Sequence, residues 1–140
     1  MANVDPVRDF MDRYRAAFLD RDVAALVDFY GYPLQLVASG PGQPTVSVAG
    51  REEWAHTLRR LIGAYRRLRV GAASTGDFHP SGTLPGVWTV RTHWALRSTE
   101  GAPIYDFTAV YTVVESTDGL RIVAITHDEL PKITAARQER

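Results

Sequence analysis

The sequence predicts an α+β fold: a cone-shaped roll in which N-terminal helices pack on a curved, mainly antiparallel sheet, as a single domain over residues 1–140. Three observations predict it. Residues 87–99 and 104–116 are long alternating runs, each followed by a Gly-containing turn, and residues 120–129 close a meander. The chain before them reads mostly as apolar stripes at helical spacing, with capping residues at their starts. Helices first and a curved sheet last leave a pocket between the two layers, so the chain reads as a small-molecule container.

The first helix starts at Asp5-Pro6, an N-cap followed by proline at the first helical position. Val7, Phe10, Met11, Tyr14, Ala17 and Phe18 form its apolar stripe, and Arg8, Asp9, Asp12, Arg13 and Arg15 fill the other face. Asp22 caps a shorter helix with Val23, Leu26, Val27 and Phe29 inward, and Gly31-Tyr32-Pro33 ends it, since proline lacks the donor that a helix needs. Residues 33–38 read as a strand, 39–44 as a Gly/Pro loop and 45–49 as a short strand. Gly50-Arg51-Glu52-Glu53 opens a third helix, its carboxylates meeting the positive end of the helix dipole. Trp54, Leu58, Leu61, Ile62, Tyr65 and Leu68 face inward from it, while Arg59, Arg60, Arg66 and Arg67 form a solvated face. Residues 70–78 read as a strand and 80–86 as a loop.

Two-residue turns at Glu100-Gly101 and Asp118-Gly119 set the faces of the sheet, pairing Thr99 with Ala102 and Thr117 with Leu120. One face then carries Trp88, Val90, Trp94, Leu96, Tyr105, Phe107, Tyr111, Val113, Ile122 and Ala124 and ends at Asp128. The other carries Arg91, His93, Arg97, Asp106, Thr108, Val110, Thr112, Val114, Val123, Ile125 and His127. Each large apolar side chain gains about 1.5–3 kcal/mol on burial, so the aromatic face meets the helices. The second face points outward and is too rich in Val and Ile for free solvent, which suggests a homodimer through it.

Sixteen basic and sixteen acidic residues balance, leaving no field to attract nucleic acid or an anionic membrane. No apolar run reaches membrane-spanning length and the first residues lack the pattern of a signal peptide, so a cytoplasmic protein is expected. The absence of cysteine removes disulfides, thiolate nucleophiles and zinc–thiolate sites. His127-Asp128-Glu129-Leu130 spells a retention tetrapeptide that is read only at a free C-terminus, and ten residues follow it. There is no nucleophile elbow, phosphate-cradling loop or dinucleotide fingerprint, and neither a cofactor nor a metal is expected.

The order of elements resembles the nuclear-transport-factor-2-like superfamily, in particular its polyketide-cyclase-like (SnoaL-like) branch, over nearly the whole chain. The resemblance is carried by Ala17-Phe18-Leu19-Asp20-Arg21-Asp22-Val23-Ala24-Ala25-Leu26, by Val48-Ala49-Gly50-Arg51-Glu52-Glu53, and by Asp118-Gly119-Leu120-Arg121-Ile122-Val123 through Asp128. The superfamily holds isomerases, dehydratases, epoxide hydrolases, cyclases and pure binding proteins, so the resemblance selects no activity.

It implies that Asp128 corresponds to the last-strand acid acting as base in the cyclases, and that Tyr14 could donate to an oxyanion as a helix-one tyrosine does in the isomerases. On their residues alone, Asp128 could equally cap the turn at Glu129-Leu130-Pro131, and Tyr14 could be a satisfied core tyrosine. Residues 33–38 carry no carboxylate where the ketosteroid isomerases place their base. Phe18, Tyr30, Trp54, Leu58, Trp88, Trp94, Phe107 and Tyr111 are the expected lining for a small apolar or aromatic ligand. Only Tyr14, Tyr30 or His79 could add a second polar group there. His93, Asp106 and His127 share the outward face, where interface hydrogen bonds are a better reading than metal ligation, and His56 lies on the polar side of the third helix. Three readings stay open: a ligand-binding protein, a cofactor-free lyase or isomerase using Asp128, and a dimeric association module without a ligand.

Overall fold

The computed structural model describes residues 3–138; Met1, Ala2, Glu139 and Arg140 lie outside the described residues. Helix α1 (Asp5–Leu19) buries Val7, Phe10, Met11, Tyr14 and Ala17, the stripe its spacing predicts. Asp5 is its first residue rather than its cap, and the Asp5 amide donates to Asn3 Oδ1 at 3.0 Å. The chain reverses at Arg21, whose φ of 54° is left-handed and whose guanidinium donates to the Val70 carbonyl at 2.6 Å. Asp22 then caps α2 (Val23–Leu26) by accepting from the Ala25 amide at 3.1 Å, and a single 3₁₀ turn leads on.

Strands β1 (Tyr30–Ala38) and β2 (Thr45–Val48) form a hairpin. Helix α3 (Arg51–Arg67) follows, and Glu53 in its first turn accepts from the Ala49 amide at 3.0 Å. It buries Trp54, Ala55, Leu58, Ala64 and Tyr65, while the four arginines read as a solvated face are exposed.

The remaining strands are β3 (Val70–Thr75), β4 (His79–Leu84), β5 (Val87–Ser98), β6 (Pro103–Ser116) and β7 (Gly119–His127). The segment read as a loop over 80–86 is therefore mostly strand: β4 pairs with the first half of β5 through a turn at Gly86 (φ 75°), and β3 pairs with the second half. Pro80 obscured this, but β4 is an edge strand, where a proline costs no ladder bond. The sheet runs β2-β1-β7-β6-β5-β3, antiparallel except for the parallel β1–β7 pair.

From Val87 to Leu96 the register of β5 against β6 is the expected one, with His93 opposite Thr108 and Trp94 opposite Phe107, but a shift between Leu96 and Arg97 sets Arg97 opposite Pro103, so the expected pair of Thr99 with Ala102 is not formed. Trp88, Val90, Trp94, Leu96, Phe107, Tyr111 and Val113 are all buried against the helices. The second hairpin departs from expectation. Ser116 pairs with Gly119, so Thr117 and Asp118 make the turn and Gly119, at φ 108°, opens β7.

A bulge then follows: Val113 pairs with Ile122 but Thr112 pairs with Ala124, leaving Val123 as the extra residue. Strand side chains alternate with a period of two, so one extra residue exchanges the faces beyond it. Ile122 and Ile125 are buried, and Ala124 leaves the inward row to which the sequence assigned it. The chain ends in α4 (Glu129–Gln138), a helix where the sequence suggested a turn, which packs against β6 and buries Glu129, Ile133 and Ala136.

Candidate functional site

A cavity of about 190 Å³ lies between α1, α3 and the concave face of the sheet. Tyr14 and Phe18 enter it from α1, Trp54, Leu58 and Leu61 from α3, and Trp94, Phe107, Ala109 and Tyr111 from the two long strands. Tyr30, Leu36 and Ala38 close it on the β1 side, while Val46 and Leu130, both well exposed, mark its mouth. A larger and more polar cleft of about 510 Å³ lies between α3 and β3 and shares Phe18, Leu58 and Leu61 as a wall. Its floor is the chain of β3, and it contains no carboxylate, so the smaller chamber is where chemistry can be concentrated.

The walls are a continuous aromatic belt. Phe18 and Trp94 have ring centroids 4.8 Å apart, Tyr30 and Trp54 meet edge to face at 5.3 Å, and Tyr14 and Tyr111 do so at 5.4 Å. The polar tips are mostly satisfied internally: the Tyr14 and Tyr30 hydroxyls are 2.9 Å apart, and Trp94 Nε1 donates to the Tyr111 hydroxyl at 3.0 Å. Burial raises the pKa of Tyr14, Tyr30 and Tyr111, so these phenols stay protonated; the Tyr30 hydroxyl donates to that of Tyr14, and the Tyr111 hydroxyl accepts from Trp94. Trp54 Nε1 closes no hydrogen bond among the described residues, although it lies near enough to the Tyr30 hydroxyl to ease that group's ionisation slightly.

Of the residues expected to line a pocket, Phe18, Tyr30, Trp54, Leu58, Trp94, Phe107 and Tyr111 do so, and Tyr14 joins them. Trp88 does not. It is buried on the part of β5 that pairs with β4, opposite Gly82, away from the residues that line the cavity.

Asp128 also stands outside the cavity, contrary to expectation. Its Oδ1 accepts from the Thr108 amide at 2.8 Å and its Oδ2 lies 3.6 Å from Lys132 Nζ, so it stitches the start of α4 to β6. The bulge at Val123 is the cause, because it turns Asp128 away and brings in Ile125 and His127, which the sequence placed outside. His93 and Asp106 remain on the outer face, 3.4 Å apart, with Lys132 Nζ 3.6 Å from Asp106. His79 lines a separate surface depression beside α1, and His56 is exposed. Among the described residues no group of three His, Asp or Glu side chains is arranged to hold a metal ion.

The acid in the cavity is Glu129, the first residue of α4. Its Oε2 accepts from the Tyr105 hydroxyl at 2.7 Å and from the Tyr65 hydroxyl, whose tyrosines come from β6 and α3. Burial raises the Glu129 pKa, and the two phenol hydrogen bonds offset part of that rise. The Glu129 amide donates to His127 Nδ1 at 3.2 Å, which leaves Nε2 as the protonated ring nitrogen of a neutral imidazole. Burial lowers the His127 pKa, which keeps the ring neutral. The chamber thus holds one desolvated carboxyl, one neutral imidazole and several phenols within apolar walls.

Glu129 was legible in part. An acid directly ahead of Leu130-Pro131 fits a helix start, but only the pairing of β6 with β7 reveals which of the two adjacent acids turns inward.

The fold is shared with several solved structures. An NTF2-like protein with a cystatin-like fold from Novosphingobium aromaticivorans superimposes with a TM-score of 0.66 at 21% identity, covering 96% of this chain and 86% of that one. A ketosteroid isomerase-like protein from Erwinia carotovora atroseptica gives 0.64 at 17% identity, over 85% and 89% of the two chains. A protein with a cystatin-like fold from Nostoc punctiforme gives 0.70 at 10% identity, over 91% and 92%. At such identities the likeness concerns the fold. No curated protein matches the sequence. The sequence pattern of the family described as NTF2-like protein (DUF6841) runs through residues 4–130, from the start of α1 to the rim of the cavity. This α+β cone is therefore a member of the NTF2-like family DUF6841.

Proposed function

We propose that this protein binds a small apolar or aromatic molecule in the chamber between its helices and its sheet. The observation that carries the reading is a buried carboxyl, Glu129, set in a space of about 190 Å³ that the aromatic side chains around it leave unfilled. A cavity of about 150 Å³ holds a benzene ring, so a single ring with a short substituent is the size expected. Trp54 and Trp94 both line the chamber, and their fluorescence reports on occupancy. Titration with benzyl alcohol is expected to give saturable quenching, weakened about tenfold or more by Ala109→Leu, which fills part of the space. Unchanged fluorescence with benzyl alcohol and with its charged single-ring analogues alike would refute the proposal.

A second reading is a cofactor-free lyase or isomerase of the polyketide-cyclase-like kind. Glu129 rather than Asp128 would then be the base, because its raised pKa brings it nearer the range useful at neutral pH, and Tyr14 would donate to the developing oxyanion. Exchange of the methyl hydrogens of acetophenone with deuterated water, abolished by Glu129→Gln, is the expected sign of such chemistry. No exchange above the buffer rate counts against it.

The outer sheet face is also proposed as a homodimer interface. Val110, Thr112 and Val114 form a half-buried outward row along β6 in support of it.

A further inference from the structure

We infer that the ligand carries a positive charge: the chamber is built for a small organic ammonium ion. This rests on the binding reading above and specifies the class of ligand. No Lys or Arg is found in the chamber lining among the described residues, and the nearest ammonium on the same helix, Lys132, is committed to Asp106 and Asp128 at 3.6 Å each on the outer side. Glu129 is only 9% exposed, and both of its hydrogen bonds fall on Oε2. Oε1 accepts none from the protein among the described residues. A carboxylate taken out of water without a cation is costly, and the two phenol donors offset only part of that cost. An ammonium group at Oε1 completes the pair.

The surrounding walls suit the same charge. Trp94, Tyr111 and Tyr30 are among the lining residues, and an alkylammonium over an aromatic face gains cation–π attraction. Trp54 Nε1, which closes no hydrogen bond among the described residues, can serve a neutral acceptor elsewhere on the same ligand. An anionic ligand would meet Glu129 with no basic residue to hold it.

Three probes share one ring and differ in the charge of the head group: benzylamine, benzyl alcohol and benzoate. At pH 7.5, tryptophan quenching should show benzylamine binding at least tenfold more tightly than benzyl alcohol, with benzoate weaker than either. Glu129→Gln should reduce the amine to the level of the alcohol. Alcohol binding as well as amine to the wild-type protein overturns the inference while leaving the binding reading intact, as does a preference for amine that survives Glu129→Gln. Should Glu129→Gln fail to fold, the order of the three probes on the wild-type protein decides. Silence from all three removes both readings.

Discussion

At the scale of single residues, Glu129 and His127 make opposite demands on pH. Glu129 has a raised pKa in the folded protein, so between the ordinary value and the folded one the fold keeps a proton that the unfolded chain has released. Its contribution is fully present below the ordinary glutamate value of about 4.3 and is lost as pH rises through the higher folded value. His127 has a lowered pKa, so stability on its account is present above about 6.5 and is lost as pH falls towards its folded value. The two terms therefore act on stability in opposite directions as pH changes. Glu129→Gln removes the term that falls with pH, leaves that of His127, and should make the profile of melting temperature against pH climb more steeply than that of the wild type above the ordinary glutamate value. A variant profile parallel to the wild type would mean that Glu129 is not held protonated by burial.

At the scale of elements, the sheet depends on how closely β3 approaches the end of β5. A methyl group at Gly71 would sit 2.6 Å from Thr99 Cα, a backbone atom with no freedom to yield without moving the strand end. Gly71→Ala should therefore lower unfolding free energy by about 1–3 kcal/mol in a denaturant titration, the usual cost of forcing extra volume into a packed contact. At Gly76 an added methyl meets nothing within 4 Å, and Gly76→Ala should be neutral or slightly stabilising. Equal effects at the two sites would show that β3 is loosely held. The bulge at Val123 acts through geometry in the same way. One residue inserted opposite Thr112 and Val113 decides that Ile125 and His127, not Ala124 and Asp128, face the helices.

At the scale of the whole molecule, the concave face of the sheet is consumed by the helices and the cavity, while the convex face offers Val110, Thr112 and Val114 half-buried between exposed Arg91, His93 and Asp106. The proposed two-fold association through that face predicts twice the chain mass by light scattering at micromolar concentration. Val110→Glu, in that row, should shift the protein to monomer, since a buried unpaired carboxylate costs several kcal/mol. A monomeric wild type would remove the proposal.

The sequence by itself determined the helix stripes, the capping of α2, the meander, the register of β5 against β6 as far as Leu96 and nearly all of the aromatic lining, because each of these follows from local periodicity and turn chemistry. The tertiary structure alone decided which acid enters the cavity. Burial parity along β7 is set by pairing with β6, and the bulge exchanges the two faces with no local residue signal of its own. Strand β4 and helix α4 escaped for a related reason: Pro80 and Pro131 are local breakers that an edge position and a first helical turn accommodate. Tyr65 and Tyr105 were legible as inward-facing, but their joint hold on Glu129 exists only once α3, β6 and α4 come together.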